Sequence, residues 1–297
     1  MAIEIYNSET GCVEAEDVCQ EGFLRFLYSN PTGRLLLWAL VKRRAFSGAF
    51  GMWASSPISR PAVMRFIDAH GIRVGEMLKR PSAFRSFNDF FTRELKPGAR
   101  PVSGGANDIS FPADGRHLAV ADVSASDTFY AKGQKFRLES FLGSPELAAR
   151  FEGGAMLISR LSPLDYHRFH FPVSGIVEAR RLIGGFLYSV SPIALRRNIG
   201  YLAENKRMLN LISLENGGMC AMVEIGATNV GSIVQLSGVG GAVRRGDCKG
   251  YFQFGGSCVA TIFERGLAKF SDALLECSEK PIEYYARANS KAGELTF

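Results

Sequence analysis

Apolar residues recur at three- and four-residue spacing between residues 14 and 93, as in Phe23, Phe26 and Leu27 and again in Val63, Phe66 and Ile67. That period predicts a mostly helical first third. Two prolines and three glycines in KPGARPVSGGAN at 96–107 break it and mark a boundary. Beyond the boundary come short runs rich in apolar and β-branched residues, punctuated by glycine, at 117–123, 156–161, 176–182, 219–225, 232–236 and 257–263. Such runs predict strands. The expected fold class is therefore α+β, with a helical region over 1–100 and a β-rich body over 101–297.

Within the helical region Leu35, Leu36, Leu37, Trp38, Leu40 and Val41 run into Lys42, Arg43 and Arg44, and Phe46, Phe50, Met52 and Trp53 follow. Apolar groups beside basic ones suit a helix lying in an anionic membrane interface, where tails take the apolar face and phosphates the charge. A buried helix with a solvated basic end fits the same residues equally well. The apolar run at 35–41 is far shorter than the ~20 residues a spanning helix needs. Residues 1–6 carry Glu4 and neither a basic stretch nor an apolar core, so the chain is expected to start in the cytoplasm.

Composition narrows the class without naming a partner. With 297 residues, 46% hydrophobic and 22% charged, the chain is globular and long enough for one substantial core. A net charge of +6 permits an anionic surface as partner without requiring one, and no nucleic-acid partner is expected. Six cysteines without a CxxC pair suit free thiols in a reducing compartment.

Histidine is scarce, which makes its placement informative. Of four histidines, His167 and His170 share the segment LSPLDYHRFHFPVSG at 161–175. A zinc site needs at least three protein ligands, and no Cys, Glu or third His stands at suitable local spacing, so no metal is expected. His70 and His117 read as structural histidines bonded to backbone. In FPADGRH at 111–117, Asp114 taken alone is an ordinary turn residue between Pro112 and Gly115. The apolar stretch GYFQFGGSCVATIF at 250–263 is interrupted by Gly255 and Gly256 before Ser257. Two glycines inside a strand pattern mark a bulge, or else hold a strained peptide open to the neighbouring serine hydroxyl.

Taken in order, these blocks resemble the phosphatidylserine decarboxylase family. FNDFFTRELKPGARP at 87–101, YAKGQKFRLESFLG at 130–143, LYSVSPIALRRN at 187–198 and VEIGATNVGSI at 223–233 look like further blocks of that family, and the likeness covers nearly the whole chain. The segment 23–37, containing FLYSNPTGRLLL, is similar to a bacterial branch. The cut site departs from the frequent Leu-Gly-Ser-Thr pattern, reading Gly255, Gly256, Ser257, Cys258.

The resemblance implies a membrane-associating helical region before a catalytic domain, and a self-processing enzyme that converts phosphatidylserine to phosphatidylethanolamine and CO2. It implies a triad of Asp114, His170 and Ser257, cleavage between Gly256 and Ser257, and a pyruvoyl cofactor made from Ser257. His170 would take the Ser257 proton while Asp114 orients the imidazole. His167 would serve the decarboxylation half-reaction. The expected partners are phosphatidylserine, the cytoplasmic side of the cell membrane as a peripheral surface, and the two cleaved chains as a heterodimer, with a homodimer of these allowed. Arg196 and Arg197 are candidates for the head-group phosphate. Two rival readings stand beside this one: a family decarboxylase acting on a soluble amino acid, and a non-catalytic membrane-binding scaffold.

Overall fold

A ten-stranded sheet organises the molecule, and in spatial order its strands are Ala242–Val243, Gly175–Ile183, Arg207–Ser213, Met219–Gly226, Ser257–Phe263, Met156–Leu161, Gly115–Val120, Glu283–Ala286, Glu4–Asn7 and Cys12–Ala15. The computed structural model describes residues 3–124, 137–215, 217–228, 232–280 and 282–296. Part of the block at 130–143 and three residues of the block at 223–233 thus lie outside the described residues. Neighbouring strands run antiparallel, except that Glu4–Asn7 lies parallel to Glu283–Ala286.

Every residue of the Ser257–Phe263 strand is buried. Val259 and Phe263 enter one apolar core, whereas Cys258, Ala260 and Ile262 enter a second on the opposite face. Alternation of side chains across a strand explains the division, and burial on both faces explains why SCVATIF reads as a continuous apolar run. Each large apolar side chain so buried contributes about 1.5–3 kcal/mol. Two three-stranded sheets complete the β portion: Ile233–Gln235, Cys248–Phe252 and Arg168–His170 in one, Ala268–Phe270, Lys291–Leu295 and Asp108–Ser110 in the other.

Helices Glu21–Ser29, Pro31–Leu36, Arg44–Ser55, Pro61–His70 and Phe87–Phe91 occupy the first third, with a π-turn at Leu37–Val41. Asn30 accepts a hydrogen bond from the Thr32 amide at 2.9 Å and Pro31 follows it, so the chain restarts a helix after one extended residue. A side chain at Gly33 would put its Cβ 2.0 Å from the Phe26 carbonyl oxygen, and its absence lets the first two helices touch. Phe84, Phe87, Phe90 and Phe91 form a separate core with Val63, Ile67 and Met77.

The structure corrects two details of the helical reading. The chain is extended, not helical, at Cys12–Ala15, because Ile3 and Ile5 alternate into the core and carry a hairpin onto the edge of the large sheet. Lys42 does not face solvent: it is buried, donates to the Tyr188 hydroxyl at 2.9 Å, and lies 4.1 Å from the Phe186 ring centroid. Leu35, Leu36, Trp38, Leu40, Met52, Trp53 and Ile58 are exposed, whereas Leu37 and Val41 are buried. Among the described residues no helix is long and apolar enough to cross a membrane.

Candidate active site

Ser257 opens the central strand, paired with Leu161 on one side and Gly226 on the other. It is fully buried, and among the described residues its Oγ has no hydrogen-bond partner. An unsatisfied buried hydroxyl costs about 1–3 kcal/mol, so this one calls for a chemical explanation. Two residues before it, Gly255 has φ of 134°, a conformation that side chains resist.

Both histidines of the 161–175 block are buried and share one design. His167 Nδ1 donates to the Asp165 carbonyl at 3.1 Å, and His170 Nδ1 donates to the Gly246 carbonyl at 2.9 Å. Spending Nδ1–H on backbone fixes the tautomer and leaves Nε2 as the free base on each ring; among the described residues neither Nε2 has a hydrogen-bond partner of good geometry. Burial pushes His167 down to about 3, although the backbone of Asp165 and Gly255 favours its charged form. Its ring lies against Phe91, centroid to centroid 3.9 Å. Burial also lowers His170, opposed by the Gly246 carbonyl and the Asp114 charge. Thus His167 stands beside the glycine step, while His170 lies within reach of the Asp114 charge.

Asp114 is not hydrogen-bonded to His170. Arg100 Nε reaches Asp114 Oδ1 at 2.7 Å, its second terminal nitrogen reaches Oδ2 at 2.5 Å, and the Ala288 amide donates to Oδ1 at 2.9 Å. A guanidinium fork and an amide satisfy the carboxylate, so Asp114 acts on His170 through its charge while the Gly246 carbonyl orients the ring.

Around the mouth of the site runs a buried ion network that the sequence reading missed. Arg116 bonds Asp165 and lies 2.8 Å from Glu16, while Arg160 reaches Glu16 at 2.7 Å and Glu283 at 2.5 Å. Burial pushes the Asp165 carboxyl up, opposed by Arg116. A signal existed in the sequence: Arg160 sits inside the apolar strand MLISRL, where an arginine must bring carboxylates with it. His117 has the structural role expected of it, with Nδ1 2.9 Å from the Ser159 hydroxyl and Nε2 3.3 Å from the Ala286 carbonyl. His70 instead pairs with a side chain, its Nδ1 3.4 Å from Asp17.

A mostly apolar pocket opens onto Gly255 and Gly256. Phe23, Leu24, Leu27 and Tyr28 of the first helix form one wall, Ser189, Val190 and Ser191 another, and Glu16 and Arg160 the polar end. On the far side of Glu16 lies a second, charged pocket lined by Arg93, Arg100, Asp114, Arg116 and Asp165. Arg196 and Arg197 are both exposed and line neither pocket.

Comparison with known proteins identifies the family. The family model described as phosphatidylserine decarboxylase matches residues 87–293. A phosphatidylserine decarboxylase proenzyme of Fusobacterium nucleatum is 41% identical over 98% of this chain and 97% of its own length. Proteins of the same name from Chlamydia muridarum and Clostridium perfringens are 40% and 37% identical, covering 97% and 92% of this chain and 96% and 93% of their own. The chain belongs to the phosphatidylserine decarboxylase family.

Proposed function

We propose that this protein is a self-processing, pyruvoyl-dependent decarboxylase that converts phosphatidylserine to phosphatidylethanolamine and CO2, cleaving itself between Gly256 and Ser257. The observation that carries the reading is the buried Ser257 Oγ directly after two glycines, which has no hydrogen-bond partner among the described residues, with the likewise unpartnered Nε2 of His167 beside Gly255.

Cleavage follows from those groups. His170 Nε2 accepts the Ser257 hydroxyl proton, and the oxygen attacks the Gly256 carbonyl carbon, exchanging the amide for an ester. Asp114 favours the imidazolium that forms, by charge. β-Elimination then breaks the ester, releasing the Gly256 carboxylate and leaving dehydroalanine at 257. Addition of water and loss of ammonia convert that residue to a pyruvoyl group.

The fit for such a group is supported by the apolar pocket against Gly255 and Gly256. Its ketone and adjacent amide carbonyl supply an electron sink for loss of CO2 from an α-amino acid. His167 Nε2, beside Gly255, is a free base that would take up a proton from the substrate amine and return it to the substrate α-carbon. The wall of Phe23, Leu24 and Leu27 excludes water from the reacting centre. After cleavage the two chains stay together as a heterodimer, since residues from 257 onward supply the central strand and the Glu283–Ala286 strand of the large sheet.

A lipid substrate, not a soluble amino acid, is favoured by the apolar residues exposed on the helices beside the pocket. Leu35 is 66% exposed, Trp38 60%, Met52 72% and Ile58 80%. Such a face suits peripheral attachment to the cytoplasmic side of the cell membrane. Two measurements test the reading: a denaturing gel, on which the protein gives two chains and Ser257→Ala one, and flotation with phosphatidylserine vesicles. Flotation should weaken at least about tenfold when Leu35 and Trp38 are both changed to Ser. Unchanged flotation contradicts the membrane face, and an intact active chain contradicts self-cleavage.

A further inference from the structure

The block at 87–101 lies in the helical third, yet one of its residues touches the scissile segment. Asn88, nine-tenths buried on the short helix Phe87–Phe91, accepts a hydrogen bond at its Oδ1 from the Phe254 amide at 3.0 Å. Its Nδ2 donates to Ser55 Oγ at 3.1 Å, which ties the same side chain to the helix Arg44–Ser55. Around Phe254 stand three rings from those two helices: Phe50 at 5.2 Å between centroids, Phe87 at 4.9 Å and Phe91 at 4.9 Å.

The segment before the cut is short and anchored step by step. Phe252 donates its amide to the His167 carbonyl at 3.0 Å, Gln253 to the Ser232 carbonyl at 3.3 Å, and Phe254 to Asn88. Only Gly255 and Gly256 then remain before Ser257 enters the central strand. Two glycines without a fixed end sample many backbone conformations, and few of them bring a carbonyl carbon within reach of the following hydroxyl. A hold on Phe254 removes most of that freedom.

We propose that Asn88 is a positioning residue for self-cleavage, holding Phe254 with its three-ring cage so that the Gly256 carbonyl faces the Ser257 hydroxyl. The assignment rests on the self-cleavage reading given above. It gives the helical third a role in processing separate from any contact with lipid.

The full chain is synthesised in a cell-free reaction, and the appearance of residues 257–297 as a separate chain is followed on denaturing gels. Asn88→Leu should slow processing by about tenfold or more, the rate equivalent of about 1.4 kcal/mol. Asn88→Asp keeps an acceptor for the Phe254 amide, and the Ser55 hydroxyl can turn to donate to the other oxygen, so its rate should stay within about threefold of the parent. Phe254→Leu, which stays apolar but leaves the ring cage loosely filled, gives a second arm and should slow processing at least about threefold. Thermal melts of each change in a Ser257→Ala background show whether the fold is intact; if Asn88→Leu does not fold, Phe254→Leu and Asn88→Asp decide. Wild-type rates in Asn88→Leu or Phe254→Leu overturn the assignment, as does an Asn88→Asp rate as slow as that of Asn88→Leu. A wild-type chain that is not cut at Gly256 overturns the underlying reading instead.

Discussion

Arg100 grips Asp114 through both carboxylate oxygens, at 2.7 and 2.5 Å, in a place where both side chains are nearly out of solvent. Removing the cation leaves a buried carboxylate with one amide for company. Arg100→Ala should therefore lower stability by about 3 kcal/mol, measured by urea unfolding of the Ser257→Ala chain, because breaking one side of a buried pair costs more than the pair is worth. A loss below about 1 kcal/mol would show that Asp114 finds another partner.

The lowered affinity of His170 for protons fixes a sign for pH dependence. A general base works when neutral, and burial keeps this imidazole neutral to lower pH than an ordinary histidine near 6.5. Processing rate should thus hold steady from neutral pH downward through 6.5 and fall only at more acid values. A rate that already halves at or above pH 6.5, followed in cell-free chain transferred between buffers, contradicts a base whose proton affinity is lowered by burial.

The two Nε2 atoms should separate by function. His170→Ala should leave the chain uncut, by at least about a hundredfold in rate, as expected for loss of a general base. His167→Ala should give two chains and at least about a hundredfold less CO2 release from phosphatidylserine. Equal processing defects in the two variants would remove that division of labour.

Cys258 follows the cut directly, yet its side chain enters the apolar core on the face opposite to Ser257, beside Ala260 and Ile262. Burial pushes its thiol well up, so it should resist alkylation in the folded protein while exposed Cys12 reacts. Because adjacent strand residues point apart, Cys258→Thr should change the processing rate by less than about threefold. A larger acceleration would mean that a hydroxyl at 258 reaches the reacting atoms.

Much of this was legible in the sequence because it is written in short periods. The strands at 156–161 and 257–263 appear with the bounds that their apolar runs predict, and the scarcity of histidine drew attention to His167 and His170. What stayed hidden depends on contacts between distant segments. Nothing local joins Arg100 to Asp114 in preference to His170, or pairs Asn88 with an amide more than 160 residues away. The burial of Lys42 was hidden for the same reason, since its partners Tyr188 and Phe186 come from the β-rich body. The N-terminal hairpin was missed because four-residue strands at a sheet edge carry too little pattern to compete with the helical period that follows.

The identity of the first group on the small chain bears most directly on the account. Mass spectrometry of the purified, active protein should find a chain beginning at position 257, blocked to amine reagents and lighter by one ammonia than the same peptide with an N-terminal serine. Active protein that is a single uncut chain, or a small chain that starts with a free serine amine, contradicts it.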